Sequence, residues 1–373
     1  MRKKTFFSSL ALVVVTSALC IVLADDEKDK GKENPSAKKD DLFYFPIPND
    51  IQPALSAAIE IDAPTEKAIQ RGLKWLSEHQ SPDGSFGKEY TVAVTSLSSL
   101  AFMANGSLPT RGKYSENVQR GLKFILAQQG ASGFISEENG KQMHSHGYAT
   151  MFLSEVYGSV DKNSKVAGVS AEDIKLRLKK SVNMISTCQS KNGGWFYYPN
   201  STADEGSVTV TVVQALRAAK NAGIKVNDYT IERAFEYVRK SANEDGSISY
   251  SISDHSSSFA LTAAGVSVLN YLGQYDGKEV DKGMSYLKRA YLDPEPSSKG
   301  SYKYYETFYA ALCFWNSGGA DWKNYFPLIR EELISSQKED GSWDDSSYGQ
   351  EYATSFSLLI LQIPYRYLPI FQR

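Results

Sequence analysis

The chain contains 373 residues, with 41 basic and 43 acidic side chains and a formal net charge of −2. Nucleic-acid binding depends on clustered Lys and Arg that neutralise phosphates, and no such cluster stands out in this sequence. Three cysteines are too few for a disulfide framework in a chain of this size, although a single bridge stays open. We therefore expect a folded protein without a nucleic-acid partner.

The first 24 residues have the pattern of a secretory signal peptide. Three basic residues, Arg2, Lys3 and Lys4, precede a long apolar stretch that ends at Ala24. We predict cleavage there, a protein that is secreted, periplasmic or held in the cell envelope, and no membrane span afterwards. A retained membrane anchor is the alternative, because the apolar run is long for a signal peptide. Residues 25–55 begin with charged and small residues that bury little apolar area, which predicts a flexible linker.

From residue 56 onward, one short turn recurs six times. Its copies read QSPDGSF, QGASGF, QSKNGGW, ANEDGSI, SSKGSY and QKEDGSW, with glycines at Gly84, Gly133, Gly193, Gly246, Gly300 and Gly341. Each turn follows a segment with amphipathic helical spacing and precedes a second segment that is more uniformly apolar. The repeating unit that this pattern predicts is a pair of helices.

Six helix pairs can stack as an open solenoid or close into a ring. An open array needs polar caps at its ends, but the last repeat finishes with the apolar LLILQIPYRYLPIFQR. We therefore predict an all-α protein, an α6/α6 toroid over residues 56–373 with six inner and six outer helices. The β-branched VTVTVVQAL would favour a strand if taken alone, but its place in the repeat predicts an inner helix.

The residues of the recurring turn suit a structural role. Glycine at the fourth position after Gln fits a backbone with positive φ, and the aromatic residue two positions later is expected to pack over the end of the outer helix. Because the pattern recurs, we interpret it as a structural staple; a ligand contact at one copy is the alternative. The residues assigned to this staple are Gln80, Gly84, Phe86, Gln189, Gly193, Trp195, Gln337, Gly341 and Trp343.

These turns resemble the QW motifs of squalene and oxidosqualene cyclases, whose superfamily includes the β-subunits of protein prenyltransferases. A longer resemblance, over about residues 60–373, is to secreted bacterial proteins named for prenyltransferase and squalene-oxidase repeats. It rests on stretches such as QRGLKWLSEHQSPDGSFG, HGYATMFLSEVYG and LLILQIPYRYLPIFQR. The resemblance implies the α-α toroid of the terpenoid cyclase superfamily, but that family has no settled reaction.

The motifs that carry chemistry in that superfamily are missing from this sequence. No D-x-D-D occurs, and we interpret the nearest string, DGSWDD, as a solvated loop. Cys188 ends an outer helix and Cys313 lies inside an apolar inner segment, so neither fits a zinc ligand set. The thioester sequence of complement-like toroids is also absent. We therefore predict no metal and no cofactor.

Ionisable residues lie just before the inner helices or in their first turns. Because all inner helices of a toroid begin at one mouth, we expect these residues to converge although they are distant in sequence. The candidates for a catalytic role are His146, Asp254, His255 and Glu306. Capping is the alternative for the acids, since helix N-termini favour carboxylates in any protein, and histidines also orient loops.

Tyrosines flank the same junctions, and tyrosine presents an apolar face and a polar tip. We predict a pocket at the mouth that combines these rings with His146, His255 and Glu306; a wet rim is the alternative. The residues predicted to contact its ligand are Tyr90, His144, Tyr148, Glu205, Tyr304, Tyr305, Tyr348 and Glu351. Further tyrosines at these junctions are Tyr197, Tyr198, Tyr250, Tyr302 and Tyr352.

Two functions remain open at this point. The first is a toroid that binds an apolar or isoprenoid-like small molecule, or an envelope protein, without cyclase or zinc prenyltransferase chemistry. The alternative is a terpenoid cyclase-like enzyme that uses non-standard acid residues. The missing motifs favour the first.

Overall fold

The computed structural model describes residues 61–136, 142–292 and 302–372. The predicted signal peptide, the predicted linker and the fifth turn, around Gly300, lie outside the described residues. Twelve α-helices make up most of the described chain. One small antiparallel hairpin accompanies them, formed by Lys165–Val166 (β1) and Val169–Ser170 (β2), with Lys165 opposite Ser170.

The helices alternate between two layers. The amphipathic outer helices are Ala63–Glu78 (α1), Ser115–Ala127 (α3), Ala171–Thr187 (α5), Asp228–Ser241 (α7), Lys278–Leu292 (α9) and Gly319–Ser336 (α11). The inner helices are Thr91–Ala104 (α2), Gln142–Gly158 (α4), Gly206–Asn221 (α6), Phe259–Tyr271 (α8), Lys303–Ser317 (α10) and Gln350–Leu361 (α12). Inner helices are buried over most of their length; in α2 every residue after the first is buried. The predicted helix over VTVTVVQAL is present as α6.

The two layers close into a ring. Each inner helix contacts the next in chain order, and the last inner helix, α12, contacts the first, α2. Ser98 Oγ of α2 lies 2.8 Å from Ser355 Oγ of α12 across this junction. The outer layer closes as well, because α11 contacts α1. The predicted α6/α6 toroid is therefore confirmed.

The turn glycines hold neighbouring outer helices close together. Gly193 has φ +102°, and a Cβ there would lie 2.1 Å from the carbonyl oxygen of Arg233 in α7. Gly341 has φ +98°, and its Cβ would lie 2.7 Å from the carbonyl oxygen of Arg71 in α1. Only glycine tolerates both the backbone conformation and this approach. The last turn thus packs on the first helix as the earlier turns pack on theirs.

The glutamines of the turn bridge the same junctions. Gln189 Nε2 donates to the carbonyl oxygens of Gly193, at 2.8 Å, and of Thr230 in α7, at 2.9 Å. Gln80, Gln129 and Gln337 each make the equivalent pair of bonds. One side chain therefore satisfies a turn carbonyl and a carbonyl of the following outer helix.

The aromatic residues of the turn are buried between the layers. Trp195 and Trp343 are fully buried, and so is Phe86. Trp195 Nε1 donates to the carbonyl oxygen of Ile185 at 2.8 Å, and Trp343 Nε1 donates to that of Leu333 at 2.8 Å. These bonds join the turn to carbonyls near the C-terminal ends of α5 and α11.

Sequence reasoning missed a basic residue that completes the junction. Arg71 Nη2 donates to the carbonyl oxygens of Lys338 and Glu339, at 2.7 and 2.8 Å, and Arg120 Nη2 donates to that of Ser81 at 2.6 Å. Arg233 and Lys282 make the equivalent contacts in their repeats. The sequence does carry a signal for them, a basic residue directly before a small residue in the outer helix: Arg71-Gly72, Arg120-Gly121, Arg233-Ala234 and Lys282-Gly283.

The C-terminal segment covers the end of the ring opposite the mouth. Its last turn, Pro369–Phe371, packs on inner helices, and Trp315 Nε1 of α10 donates to the Phe371 carbonyl oxygen at 2.7 Å. Burial beneath this segment raises the pKa of Glu155 in α4 to about 8, opposed by a hydrogen bond with the Ile370 backbone. The apolar end of the chain is therefore part of the core.

Candidate functional site

A cavity opens at the mouth, where the inner helices begin. The volume accessible to the centre of a water molecule is ≈250 Å³. Eight tyrosines contribute to its wall, together with aliphatic side chains of α2 and α8. Six of the residues predicted to contact a ligand do line it: Tyr90, His144, Tyr148, Glu205, Tyr305 and Tyr348.

The repeat places one residue of each unit in this wall. In every described turn, the backbone N–H two residues after the glycine bonds to a side chain of the following inner helix: Thr95, His146, Thr209, Thr262 or Thr354. In each of these inner helices, the residue two positions before the bonded side chain lines the cavity. These residues are Ala93, His144, Ser207, Ala260 and Tyr352. Tyr305 of α10 completes the set. We call these six residues the cavity layer.

The polar part of the cavity layer lies on α4 and α6. His144 Nε2 is 3.3 Å from Ser207 Oγ, and His144 Nδ1 is 3.1 Å from Thr211 Oγ1. Ser207 Oγ donates to Glu205 Oε1 at 2.8 Å. Tyr305 OH reaches from the far side of the ring and donates to the Ser207 carbonyl oxygen at 3.0 Å. We call His144, Ser207 and Glu205 the polar sector.

Glu205 is also the N-cap of α6. Its carboxylate accepts from the backbone N–H of Ser207 at 2.9 Å and of Val208 at 2.5 Å, and the residue is fully buried. The capping role that the sequence left open is therefore present in this residue, and it coexists with a place in the cavity wall. These bonds fix the carboxylate and, through Ser207, the neighbouring histidine.

A network of buried hydroxyl and amide groups adjoins Tyr148 of the cavity wall. Tyr148 OH lies 3.5 Å from Tyr309 OH, which donates to Gln214 Oε1 at 3.2 Å. Gln214 Nε2 in turn donates to Tyr271 OH at 2.9 Å. Burial raises the pKa of Tyr148 to about 12, so its hydroxyl is neutral at ordinary pH. The hydroxyl of Tyr148 therefore bonds within the protein.

The rim on the α10 and α12 side is a cluster of rings. Tyr348 lies 5.8 Å from Tyr90, 6.3 Å from Tyr302 and 4.9 Å from Tyr352 between ring centroids. Burial raises the pKa of Tyr352 well above its usual value. These contacts join α2 to α12 and give this wall an aromatic surface.

His146, a catalytic candidate from the sequence, lies between the layers and not in the cavity wall. It is fully buried; its Nδ1 accepts from the Ile135 N–H at 3.1 Å, and its Nε2 lies 3.2 Å from the Ser181 carbonyl oxygen. Burial lowers its pKa to about 4. In four other described repeats a threonine accepts the equivalent bond, so alignment of the repeats is the signal that separates His146 from His144.

Asp254 and His255 are exposed in the loop before α8 and do not line the cavity. Asp254 Oδ1 accepts from the N–H and the hydroxyl of Ser256, at 3.0 and 2.7 Å. These bonds lower the pKa of the Asp254 carboxyl. The loop before α8 carries both residues away from the cavity. Their position in the sequence, just before an inner helix, does not show this.

Glu306 belongs to α10 but does not face the cavity. It is absent from the described wall, and burial, with repulsion from Glu332 of α11, raises its pKa to about 7. Tyr304 OH donates to the Asp344 carbonyl oxygen at 3.0 Å, and neither Tyr304 nor Glu351 is in the described wall. Helical periodicity explains these positions, because adjacent residues of one helix face different sides.

The two described cysteines are free thiols. Cys188 caps α5, while Cys313 is buried beside Ser267 Oγ at 3.2 Å. Among residues 61–136, 142–292 and 302–372, no three His, Cys, Asp or Glu side chains come together as a metal-binding group. Over the same residues, no helix has the length and apolar character needed to cross a membrane.

Comparison with known proteins identifies the fold and its family. The family model described as the prenyltransferase alpha-alpha toroid domain matches residues 54–301. A search of curated proteins gives no match.

Solved structures with the same fold differ in what they bind. A variant of the type II terpene cyclase MstE from Scytonema, in complex with geranylgeranyl dihydroxybenzoate, is 15% identical with a TM-score of 0.54, covering 86% of this chain and 99% of that one. An inactive variant of the α-1,6-mannanase GH76A of Salegentibacter sp. HEL1_6, in complex with α-1,6-mannotriose, is 9% identical with a TM-score of 0.59, covering 81% of this chain and 99% of that one. At these identities the likeness shows the fold alone.

Proposed function

Because this chain belongs to the prenyltransferase alpha-alpha toroid domain family, we propose that it binds an apolar, isoprenoid-like ligand in the cavity at its mouth. The observation that carries the proposal is the composition of the wall. Eight tyrosines surround aliphatic side chains such as Leu97 and Leu261, and the described wall contains no Lys or Arg. Such a surface gains most from a ligand that is largely apolar.

The fold by itself does not choose between ligands, because its solved examples include a complex with a geranylgeranyl compound and one with a mannotriose. The wall does favour one. A sugar needs many directional hydrogen bonds, whereas the hydroxyls of Tyr148 and Tyr305 already bond within the protein. Their rings remain as contact surface, which suits branched hydrocarbon.

The proposal needs no catalytic step. Of the four catalytic candidates, His146 is buried between the layers, Asp254 and His255 are exposed in a loop, and Glu306 is absent from the described wall. They do not form one constellation in the described structure. Binding is therefore the function that the geometry supports best.

Filling the cavity tests the proposal. Ala260 lies in the first turn of α8, and Ala260→Trp would project a large ring into the space between α2 and α8. We expect geraniol to bind the parent protein and the affinity to fall at least about tenfold in the variant. Titration calorimetry with purified protein measures both, and thermal unfolding shows whether the variant is folded.

Ala320→Trp is the matched control, because Ala320 is exposed at the start of α11 and is not part of the cavity wall. It should bind geraniol as the parent does. Failure of the parent to bind any isoprenoid, or an equal loss in both variants, would contradict a ligand site at the mouth.

A further inference from the structure

The six residues of the cavity layer differ in chemical character, and similar residues are arranged in a regular way around the ring. Ala93 and Ala260 belong to inner helices on opposite sides, α2 and α8, and leave space beside aliphatic neighbours. Tyr305 and Tyr352, on α10 and α12, supply rings. His144 and Ser207, on the adjacent helices α4 and α6, are the two members that are neither alanine nor tyrosine. Apart from the tyrosine hydroxyls, the polar side chains of the cavity layer thus lie on one side of the ring.

The polar sector is held in place before any ligand arrives. The ring of His144 is positioned by Ser207 Oγ and Thr211 Oγ1, one at each nitrogen. It also lies 6.0 Å from the Tyr197 ring and 6.3 Å from the Tyr305 ring between centroids. Groups fixed in this way lose little freedom when they bind.

One contact in the polar sector is weak enough to be replaced. The 3.3 Å between His144 Nε2 and Ser207 Oγ exceeds the usual length of an N–H···O bond. A ligand hydroxyl can both donate and accept, so it can pair with His144 in either tautomer and with the serine oxygen. A carbonyl can accept from His144 Nε2–H, because the Ser207 hydroxyl already donates to Glu205 Oε1.

The charge of the wall disfavours an anionic head. Glu205 is the only carboxylate in the described wall, it adjoins Ser207, and the same wall offers no Lys or Arg to neutralise a phosphate. A diphosphate or carboxylate placed here would lose its hydration, and no Lys or Arg of the described wall would offset that loss. An uncharged polar group avoids this cost.

We infer that the ligand of this cavity has one uncharged hydrogen-bonding head group, a hydroxyl or a carbonyl, which binds at His144 and Ser207 while its apolar body lies along α2 and α8. The inference rests on the proposed function, because it assumes that the mouth cavity holds the ligand. It adds the chemical class, an isoprenoid alcohol or ketone and not an isoprenoid phosphate.

Three probes with one isoprenoid skeleton test it. Geraniol, geranyl diphosphate and the hydrocarbon with hydrogen in place of the hydroxyl are titrated into the parent protein. We expect the alcohol to bind about tenfold more tightly than the hydrocarbon, as one hydrogen bond can supply, and the diphosphate to bind most weakly. Equal binding of alcohol and hydrocarbon, or tightest binding of the diphosphate, overturns the head-group inference and leaves the apolar cavity standing. If none of the three binds, both proposals fail.

Two variants locate the head group. Ser207→Ala removes the hydroxyl of the polar sector and should reduce the preference for alcohol over hydrocarbon to about twofold, with hydrocarbon affinity unchanged. Tyr352→Phe removes a hydroxyl from the other side of the cavity layer and should leave the preference intact. An unchanged preference in Ser207→Ala, or an equal loss in both variants, would overturn the assignment.

Discussion

The turns and the cavity layer belong to the same repeated unit. The turns keep nearly the same residues and bonds in each repeat, whereas the residues of the cavity layer vary. At the turns, the five described glycines all have φ between +91° and +102°, and four glutamines make the same two bonds. In the cavity layer, two residues are alanines, two are tyrosines, and one each is histidine and serine. A turn must meet the next outer helix identically each time for the ring to close. A cavity wall has no such constraint, so its differences carry the information about a ligand.

The largest effect is expected where a turn loses its buried ring. Trp195→Ala removes a fully buried side chain and its bond to the Ile185 carbonyl oxygen, and should lower the free energy of unfolding by about 3–5 kcal/mol. Chemical denaturation measures the change. Tyr198→Ala, three residues on at an exposed position, is the control and should have little effect. Unchanged stability with loss of ligand binding in Trp195→Ala would instead make this turn part of the site.

Much of the fold could be predicted from the sequence because its signals are repeated. A single Gly-x-Trp is weak evidence, but six copies with helical segments between them define the unit, and the apolar C-terminus indicated closure. The basic residues at Arg71 and Arg120 escaped notice because Lys and Arg are ordinary on an outer helix. Only the structure shows that they reach the carbonyls of a neighbouring turn.

The site was less predictable, because a shift of two residues along a helix changes the side of the helix on which a side chain lies. His144 and His146 are two residues apart, yet the first lines the cavity and the second joins the layers. Ser207, Ala93 and Ala260 were missed because small residues carry no chemical signal by themselves. The bond from each turn to its inner helix, which the structure supplies, is the marker from which all three are found by counting back two residues.

In one of the five described turns, a histidine accepts the bond that a threonine accepts in the others. His146 has a folded-state pKa of about 4, below the usual 6.5, because burial opposes its charge. Between these pH values the unfolded chain therefore binds a proton that the folded chain does not bind. The free energy of unfolding falls as the pH drops from 6.5 toward 4. The loss can reach about 3 kcal/mol.

His146→Thr introduces the residue type found at the equivalent positions Thr95, Thr209, Thr262 and Thr354. It should reduce the loss of stability at low pH. Urea unfolding between pH 7 and about 4 compares the parent with the variant. His255→Thr is the control, because it makes the same substitution at an exposed position. A parent profile that is already flat would show that His146 is charged or solvated in the folded protein.

The smallest effect gives the sharpest comparison, because Thr209 and Ser207 are hydroxyl residues two positions apart on α6. Thr209 Oγ1 accepts the buried N–H of Trp195 at 3.1 Å, so Thr209→Val leaves that donor without an acceptor and should cost about 1–3 kcal/mol. Ser207→Ala leaves Glu205 with two backbone donors, and we expect it to cost less than about 1 kcal/mol. Denaturation midpoints measured on both variants check the order. If Ser207→Ala were the more destabilising, the polar sector would be needed for folding, and its place in the cavity wall would no longer argue for a ligand.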